Sequence, residues 1–405
     1  MAVKERAFLK IKQQPEDFQV EELTDVTPVD KGPYAFYRLE KRGWTTPDAV
    51  QAIRRRWQLD RRRVAHGGLK DRHAHTVQYL TIFRGPQRNL THQRLTLTYL
   101  GLVPEEYGSA SFRGNRFRIT VRSLSEAALA AAQEALEETR RQGVPNYFDD
   151  QRFGSVGPGG EFMAQALVAG NYEEALRRAL LAPYEFDRGA QKKEKSVLRS
   201  HWGEWPACKE ALPRGHARKL VDYLVHHPED FRGALECLPP DLRGLYLSAY
   251  QSSLWNRMLA RWLRRHVAPD HLISLRLRLG DVPAHRHLSE PQLAELAEAR
   301  LPLPSPRVEL DHADPRKEVY DAVLNEEGLR QEQFKLKGMR EMFFSRGDRA
   351  ALCLPANLHH ESGPDELNPK KQKLTFACEL PRGSYATLLV KRMTQAVPGM
   401  ATESQ

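Results

Sequence analysis

Residues 67 to 78, Gly-Gly-Leu-Lys-Asp-Arg-His-Ala-His-Thr-Val-Gln, place one carboxylate, Asp71, between Lys70 and Arg72 and then pass directly into an alternating segment. Opposite charges within a few ångströms favour the ionised form of a carboxyl group. The spacing therefore suits either a carboxylate held ionised by Lys70 and Arg72, fit to act as a base or a nucleophile at neutral pH, or an ordinary turn before a strand, with Gly67 and Gly68 supplying the bend and three exposed charges. Read differently, Asp71, His73 and His75 form a D-x-H-x-H set, and on a strand residues two apart share a face, as metal ligands require. Fifteen histidines in 405 residues make such pairs common by chance, and two flanking cations repel a divalent ion. A second chemical segment is Asn146-Tyr147-Phe148-Asp149-Asp150-Gln151-Arg152-Phe153-Gly154, too polar for a core strand and too aromatic for a free loop. Such a mixture suits either a planar, hydrogen-bonding ligand such as a base, with rings to stack and amides to read an edge, or a satisfied structural turn. Two further segments stand out: Pro15-Glu16-Asp17-Phe18 beside Lys12, and Gly383-Ser384-Tyr385-Ala386-Thr387.

The elements that must position these groups are partly readable. A helix begins at Thr46, which can cap it, with Pro47 in the first turn and Ala49, Val50, Ile53 and Trp57 on one face. Its other face carries Arg54, Arg55 and Arg56, followed by Arg61, Arg62 and Arg63, a run suited either to a solvated helix end or to phosphate contacts. Val77, Tyr79, Leu80 and Ile82 predict a strand after the Asp71 segment. Arg116 to Arg122 alternates without a break and predicts a second strand whose polar side is basic. A long helix follows Ser125 and closes at Gly143. This order predicts an α+β layer with a half-exposed sheet.

Gly157, Pro158, Gly159 and Gly160 form a break, after which the pattern is mostly helical, with a basic stretch from Gln191 to Arg199. Leu245 to Trp262 reads as an amphipathic helix whose Trp255 and Trp262 face a core. Leu374, Phe376, Cys378 and Leu380 restore a strand pattern, and Pro381-Arg382-Gly383 ends it before an apolar helix.

With 62 basic and 52 acidic residues the net charge is +10, which points to a polyanionic partner, nucleic acid first. Hydrophobic residues at 40% and charged residues at 28% exclude a disordered chain. The four cysteines, Cys208, Cys237, Cys353 and Cys378, form no CxxC pair, so reduced and mostly buried thiols are expected. No apolar run reaches membrane-spanning length and the first residues are mixed in charge, so the expectation is a cytoplasmic protein with no membrane association.

In chain order, these segments resemble the TruD family of pseudouridine synthases. The resemblance is carried by Pro15-Glu16-Asp17-Phe18-x-Val20-x-Glu22, Gly68-Leu69-Lys70-Asp71-x-x-Ala74-x-Thr76-x-Gln78 and Gly114-Asn115-x-Phe117. It continues in Val144-Pro145-Asn146-Tyr147-Phe148-x-x-Gln151-Arg152-Phe153-Gly154, Ser248-Ala249-x-Gln251-Ser252-x-Leu254-x-Asn256 and Leu380-Pro381-x-Gly383-Ser384-Tyr385-Ala386-Thr387. Asp149, His75 and Val390-Lys391-Arg392-Met393 depart from the family pattern.

The resemblance implies a pseudouridine synthase fold, a mixed and mostly antiparallel sheet flanked by helices, interrupted by an inserted TRUD-specific α/β domain. The expected division is a first catalytic part over 1–154, the insert over 155–340 and the rest of the catalytic domain over 341–405. It implies cofactor-independent isomerisation of uridine to pseudouridine in tRNA, at position 13, by a monomer without metal. Residue by residue, it implies Asp71 as the catalytic aspartate. For substrate contact it implies Lys12, Phe18, Asn146, Phe148, Arg152 of the same motif, and Tyr385. A non-catalytic RNA-binding protein on the same scaffold is the rival expectation, and a phosphodiesterase using a metal on Asp71, His73 and His75 is a third.

Overall fold

The computed structural model describes residues 8–157, 159–183, 187, 189–339, 341–395 and 401–402; Pro158 of the glycine-rich break lies outside them. The chain forms two compact units, one from residues up to Asn146 together with those from Leu352 onward, the other from Tyr147 to Ala351.

In the first unit the chain runs β1 (Phe8–Ile11), β2 (Phe18–Thr24), β3 (Tyr34–Arg42), α1 (Thr46–Trp57), β4 (Val64–His66), β5 (His75–Phe83), β6 (Leu90–His92), β7 (Leu95–Val103), β8 (Phe112–Leu124), α2 (Glu126–Gln142) and β9 (Val144–Pro145). Helix α1 is capped by Thr45, whose hydroxyl accepts from the Asp48 amide at 3.1 Å, and not by Thr46. Thr46 is fully buried and serves the Asp71 loop instead: its hydroxyl donates to Gln78 at 2.8 Å and accepts from the Lys70 amide at 2.9 Å. Helix α2 begins and ends as its sequence requires, with Ser125 as N-cap and Gly143 at positive φ closing it.

The second unit is built on α3 (Pro240–His266), packed by shorter helices and by the hairpin β10 (Leu272–Leu277) and β11 (Gly280–His285). From Tyr246 to Leu263 nearly every side chain of α3 is buried, Trp255 and Trp262 included. Most of its surface is covered by neighbours, and an arginine face of Arg257, Arg261, Arg264 and Arg265 stays half-exposed or exposed, so it is an amphipathic helix with an unusually wide buried face.

The chain then returns to the first unit as β12 (Leu352–Cys353), β13 (Ala356–Pro364), β14 (Gln372–Pro381), α4 (Ala386–Gln395) and β15 (Ala401–Thr402). Strand β12 pairs antiparallel with β9, Leu352 opposite Pro145 and Cys353 opposite Val144. The main sheet has the order β13-β14-β8-β2-β5-β3-β7-β6, with β1 on β8, β4 on β5 and β15 on β1. Two of its pairings are parallel, β2 with β5 and β1 with β15; the others are antiparallel. This is the α+β layer that the order of elements predicts, with the mixed, mostly antiparallel sheet that the family resemblance implies.

Helix α1 covers one face through Ala49 and Ile53, which pack on Tyr37, Leu39, Leu80, Ile82, Leu95 and Leu97. Helices α2 and α4 pack on each other and α2 packs on β14 and β8. Along β8 the alternation is as expected, with Phe117, Ile119 and Val121 buried. Its basic side is neutralised by carboxylates: Arg116 pairs with Glu379, Arg118 with Glu361, and buried Arg122 with Asp17 and Asp365, both at 2.8 Å. Of the cysteines, Cys208, Cys353 and Cys378 are buried and Cys237 is exposed, all as free thiols.

Candidate active site

Two chain segments enter the sheet side by side. Because β2 and β5 run parallel, with Gln19 opposite His75, the residues leading into both strands lie at the same end of the sheet. That topology brings Lys12 to Asp71 across 59 residues of sequence. Lys12 donates from Nζ to Asp71 Oδ2 and lies 4.5 Å above the Phe18 ring, which meets Phe117 edge to face at 6.1 Å. Lys12 adopts a left-handed backbone conformation, φ +62, a shape that costs a non-glycine residue about 1 kcal/mol and persists where surroundings enforce it.

The ionising cation is therefore Lys12, not the flanking Lys70 and Arg72. Lys70 turns away to buried Glu22 at 2.9 Å and donates to Asn115 Oδ1 at 3.0 Å, while Arg72 is exposed. Glu22 in turn accepts from the Tyr79 amide at 3.0 Å and the Tyr107 hydroxyl at 3.3 Å. Burial pushes the Asp71 carboxyl up, but the charge and hydrogen bond of Lys12, with the His73 amide, outweigh it and hold the group below its ordinary value. The carboxylate is ionised at neutral pH, with the His73 amide donating to its second oxygen at 3.1 Å.

The loop carrying Asp71 is pinned from beneath. Gln78 donates to the Gly68 carbonyl at 3.1 Å, and fully buried Lys41 donates to the carbonyls of Trp44, Asp71 and Lys70 at 2.7, 3.1 and 3.4 Å. Burial pushes the Lys41 ammonium down to about 8, against the opposing pull of Asp71. Lys41 and Glu22 do not stand out in the sequence as positioning groups. The one signal there is a charge at a position of β3 or β2 that alternation assigns to the inside.

Asn146, buried, accepts from the Ser384 hydroxyl at 3.1 Å, next to half-buried Tyr385 at the start of α4. Phe148 and Arg152 belong to the second unit. There Asn256 clamps Phe148 with two bonds of 2.8 Å, accepting from its amide and donating to its carbonyl. Trp255 meets the Phe148 ring edge to face at 5.5 Å, and Arg349 and Arg152 lie 4.1 and 5.4 Å from its centre. Ser248 accepts from Arg152 at 3.4 Å and Gln251 donates to the carbonyls of Pro304 and Ser345, so the Ser248–Asn256 motif is a scaffold for this segment. Tyr147 and Phe153 are fully buried, so those two rings fill the core rather than offering a face to a base.

His75, part of the possible ligand set, bonds Glu40 at 2.8 Å. Among the described residues no three His, Cys, Asp or Glu side chains gather into a group that could hold a metal ion. No helix of the described residues is long and apolar enough to cross a membrane.

Asp71 is thus an ionised carboxylate gripped by a lysine at the start of two parallel strands, with a mixed sheet behind it. The family model of tRNA pseudouridine synthase D (TruD) matches residues 2–393, and the chain belongs to this family. It is 32% identical over 95% of its length to a Methanocaldococcus jannaschii protein named "Probable tRNA pseudouridine synthase D 2", covering 92% of that protein. It is 29% identical to the tRNA pseudouridine synthase D of Aquifex aeolicus, covering 95% of this chain and 99% of the relative. A crystal structure of the Methanosarcina mazei TruD protein superposes with a TM-score of 0.70 at 28% identity, over 97% of this chain and 94% of the other.

Proposed function

We propose that this protein converts uridine to pseudouridine in tRNA, at position 13, with Asp71 acting on the ribose of a flipped-out nucleotide. The observation that carries the reading is the Lys12–Asp71 pair, which keeps a half-buried carboxylate ionised at neutral pH. Cleavage of the C1′–N1 bond leaves positive charge on the ribose and negative charge on uracil, so an anionic oxygen belongs on the sugar side. Asp71 serves either by attacking C1′ or by removing a ribose proton, and both routes need the ionised form. The detached uracil turns and bonds C1′ through C5, as the Asp71–C1′ bond breaks on the first route or Asp71 returns the ribose proton on the second; it then loses the C5 proton and regains one at N1. Atoms and electrons balance without a redox partner or cofactor.

In this reading Phe18, Asn146, Phe148, Arg152 and Tyr385 contact the nucleotide and retain the free base while it rotates, and Lys12 tunes Asp71. The unit that carries Asp71 is the catalytic domain and the segment inserted into it is the TRUD-specific domain. Asp71→Asn tests the assignment: pseudouridine formation in a tRNA transcript should fall by at least about 10³-fold while tRNA affinity persists. Retained conversion in that variant would refute it.

A further inference from the structure

The arginine run of α1 is only partly consumed by the fold. Arg54 donates to the Leu59 carbonyl and Arg63 to those of Phe83 and Arg84. Arg55 and Arg56 instead face an open groove of about 940 Å³, together with Arg72, Arg94, Trp44 and His92. Four guanidiniums, Arg55, Arg56, Arg72 and Arg94, have no carboxylate partner among the described residues. The one carboxylate in the groove, Asp48, is occupied by the Thr45 hydroxyl at 2.7 Å, and the fifth arginine, Arg42, is drawn to Glu16 at 3.3 Å. Like charges brought together around empty space repel one another, and an anion placed among them removes that cost.

The second unit offers a useful contrast. In its own arginine-lined cavity, about 930 Å³, three of the five arginines are paired with carboxylates, Arg257 and Arg261 with Glu326, Arg257 also with Glu327, and Arg265 with Glu318. The basic face of β8 is likewise paired. The groove beside α1, by comparison, combines several unpaired guanidiniums with an aromatic wall, Trp44 and His92 edge to face at 6.0 Å. It is also fastened to the chemistry: Lys41 binds the Trp44 carbonyl and the Asp71 carbonyl at once, and Arg72 is the residue after Asp71.

We propose that this groove holds the RNA backbone on one side of the flipped nucleotide, with phosphates on Arg55, Arg56, Arg72 and Arg94 and a sugar or base against the Trp44–His92 wall. The proposal rests on the reading of Asp71 as acting on a tRNA uridine. The test is equilibrium binding of an unmodified tRNA transcript across a salt titration, with wild type, Arg55→Ala/Arg56→Ala and Arg94→Glu. These side chains are exposed, and thermal melting checks that the variants fold. The double variant should bind about tenfold more weakly near physiological salt, and its log–log salt slope should shrink by about 1.5, roughly 0.7 to 0.9 for each phosphate that is no longer neutralised. Arg94→Glu should weaken binding at least as much, and in turnover both effects should appear chiefly in KM. Arg140→Ala, an exposed arginine on α2 paired with Glu137, should leave the slope unchanged. Wild-type affinity and slope in both groove variants, or weaker binding with an unchanged slope, would overturn the proposal. Pseudouridine in the wild-type reaction is scored separately: its absence would sink the isomerase reading, while the slope judges the groove.

Discussion

Lys41 is a charged group with no exposed surface, held by three backbone carbonyls, and its titration gives a quantitative handle on the Asp71 loop. Burial brings its pKa down from 10.5 to about 8. Between those values the unfolded chain binds more protons than the folded one, so the contribution of this group to stability rises with pH. Each full unit of that window is worth about 1.4 kcal/mol. Since the window opens near pH 8, the stability of wild type relative to Lys41→Met should grow by about 1.4 kcal/mol from pH 7 to 9. Guanidinium denaturation of both proteins at matched pH values measures this, and the difference between them cancels groups common to both. The same deprotonation leaves a neutral amine with two N–H donors for three carbonyls, so the single-turnover rate of the wild type should fall as pH passes 8. A stability difference that stays flat from pH 7 to 9 would refute the argument that a charged lysine is buried under the loop.

Lys12→Met removes the cation on Asp71 and leaves burial opposed only by His73, so the acidic limb of the pH–rate profile should move to higher pH and the neutral rate should drop about 10²-fold; an unmoved limb would exclude Lys12 as the tuning charge. Asn256→Ala strands the buried amide and carbonyl of Phe148 and should destabilise the second unit by about 2–3 kcal/mol, read by thermal melting, with a raised KM for tRNA. A Cβ at Gly114 would collide with the Leu380 carbonyl oxygen across the β8–β14 pair, so Gly114→Ala should cost roughly 2 kcal/mol in denaturant titration.

Local periodicity made the elements around the site legible: the helix after Ser125, the strand through Arg116 to Arg122 and the strand leading from His75 all form as their spacing predicts. What spacing could not show is which charge finds which. Lys70 and Arg72 are the sequence neighbours of Asp71, yet the parallel β2–β5 pairing delivers Lys12, while buried Glu22 claims Lys70. The same blindness hid the carboxylates that quench the basic face of β8, since they arrive from Asp17, Glu361, Asp365 and Glu379. Aromatic content was also ambiguous: Tyr147 and Phe153 satisfy a core, and only the packing distinguishes them from a face offered to a base.

The short β9–β12 pair carries a topological consequence. Val144–Pro145 leads out of the first unit and Leu352–Cys353 leads back in, hydrogen-bonded to each other, so roughly half of the polypeptide is spliced in at a point closed like a hairpin. Seen from the main sheet, everything between those two strands is a loop whose ends are already joined. The entropy of closing such a loop grows only with the logarithm of its length, so residues can be added or removed there without shifting the register of the strands that flank the Asp71 loop. The Asn146–Tyr147 bond is the seam of that splice, and the Asn146–Gly154 motif is written across it.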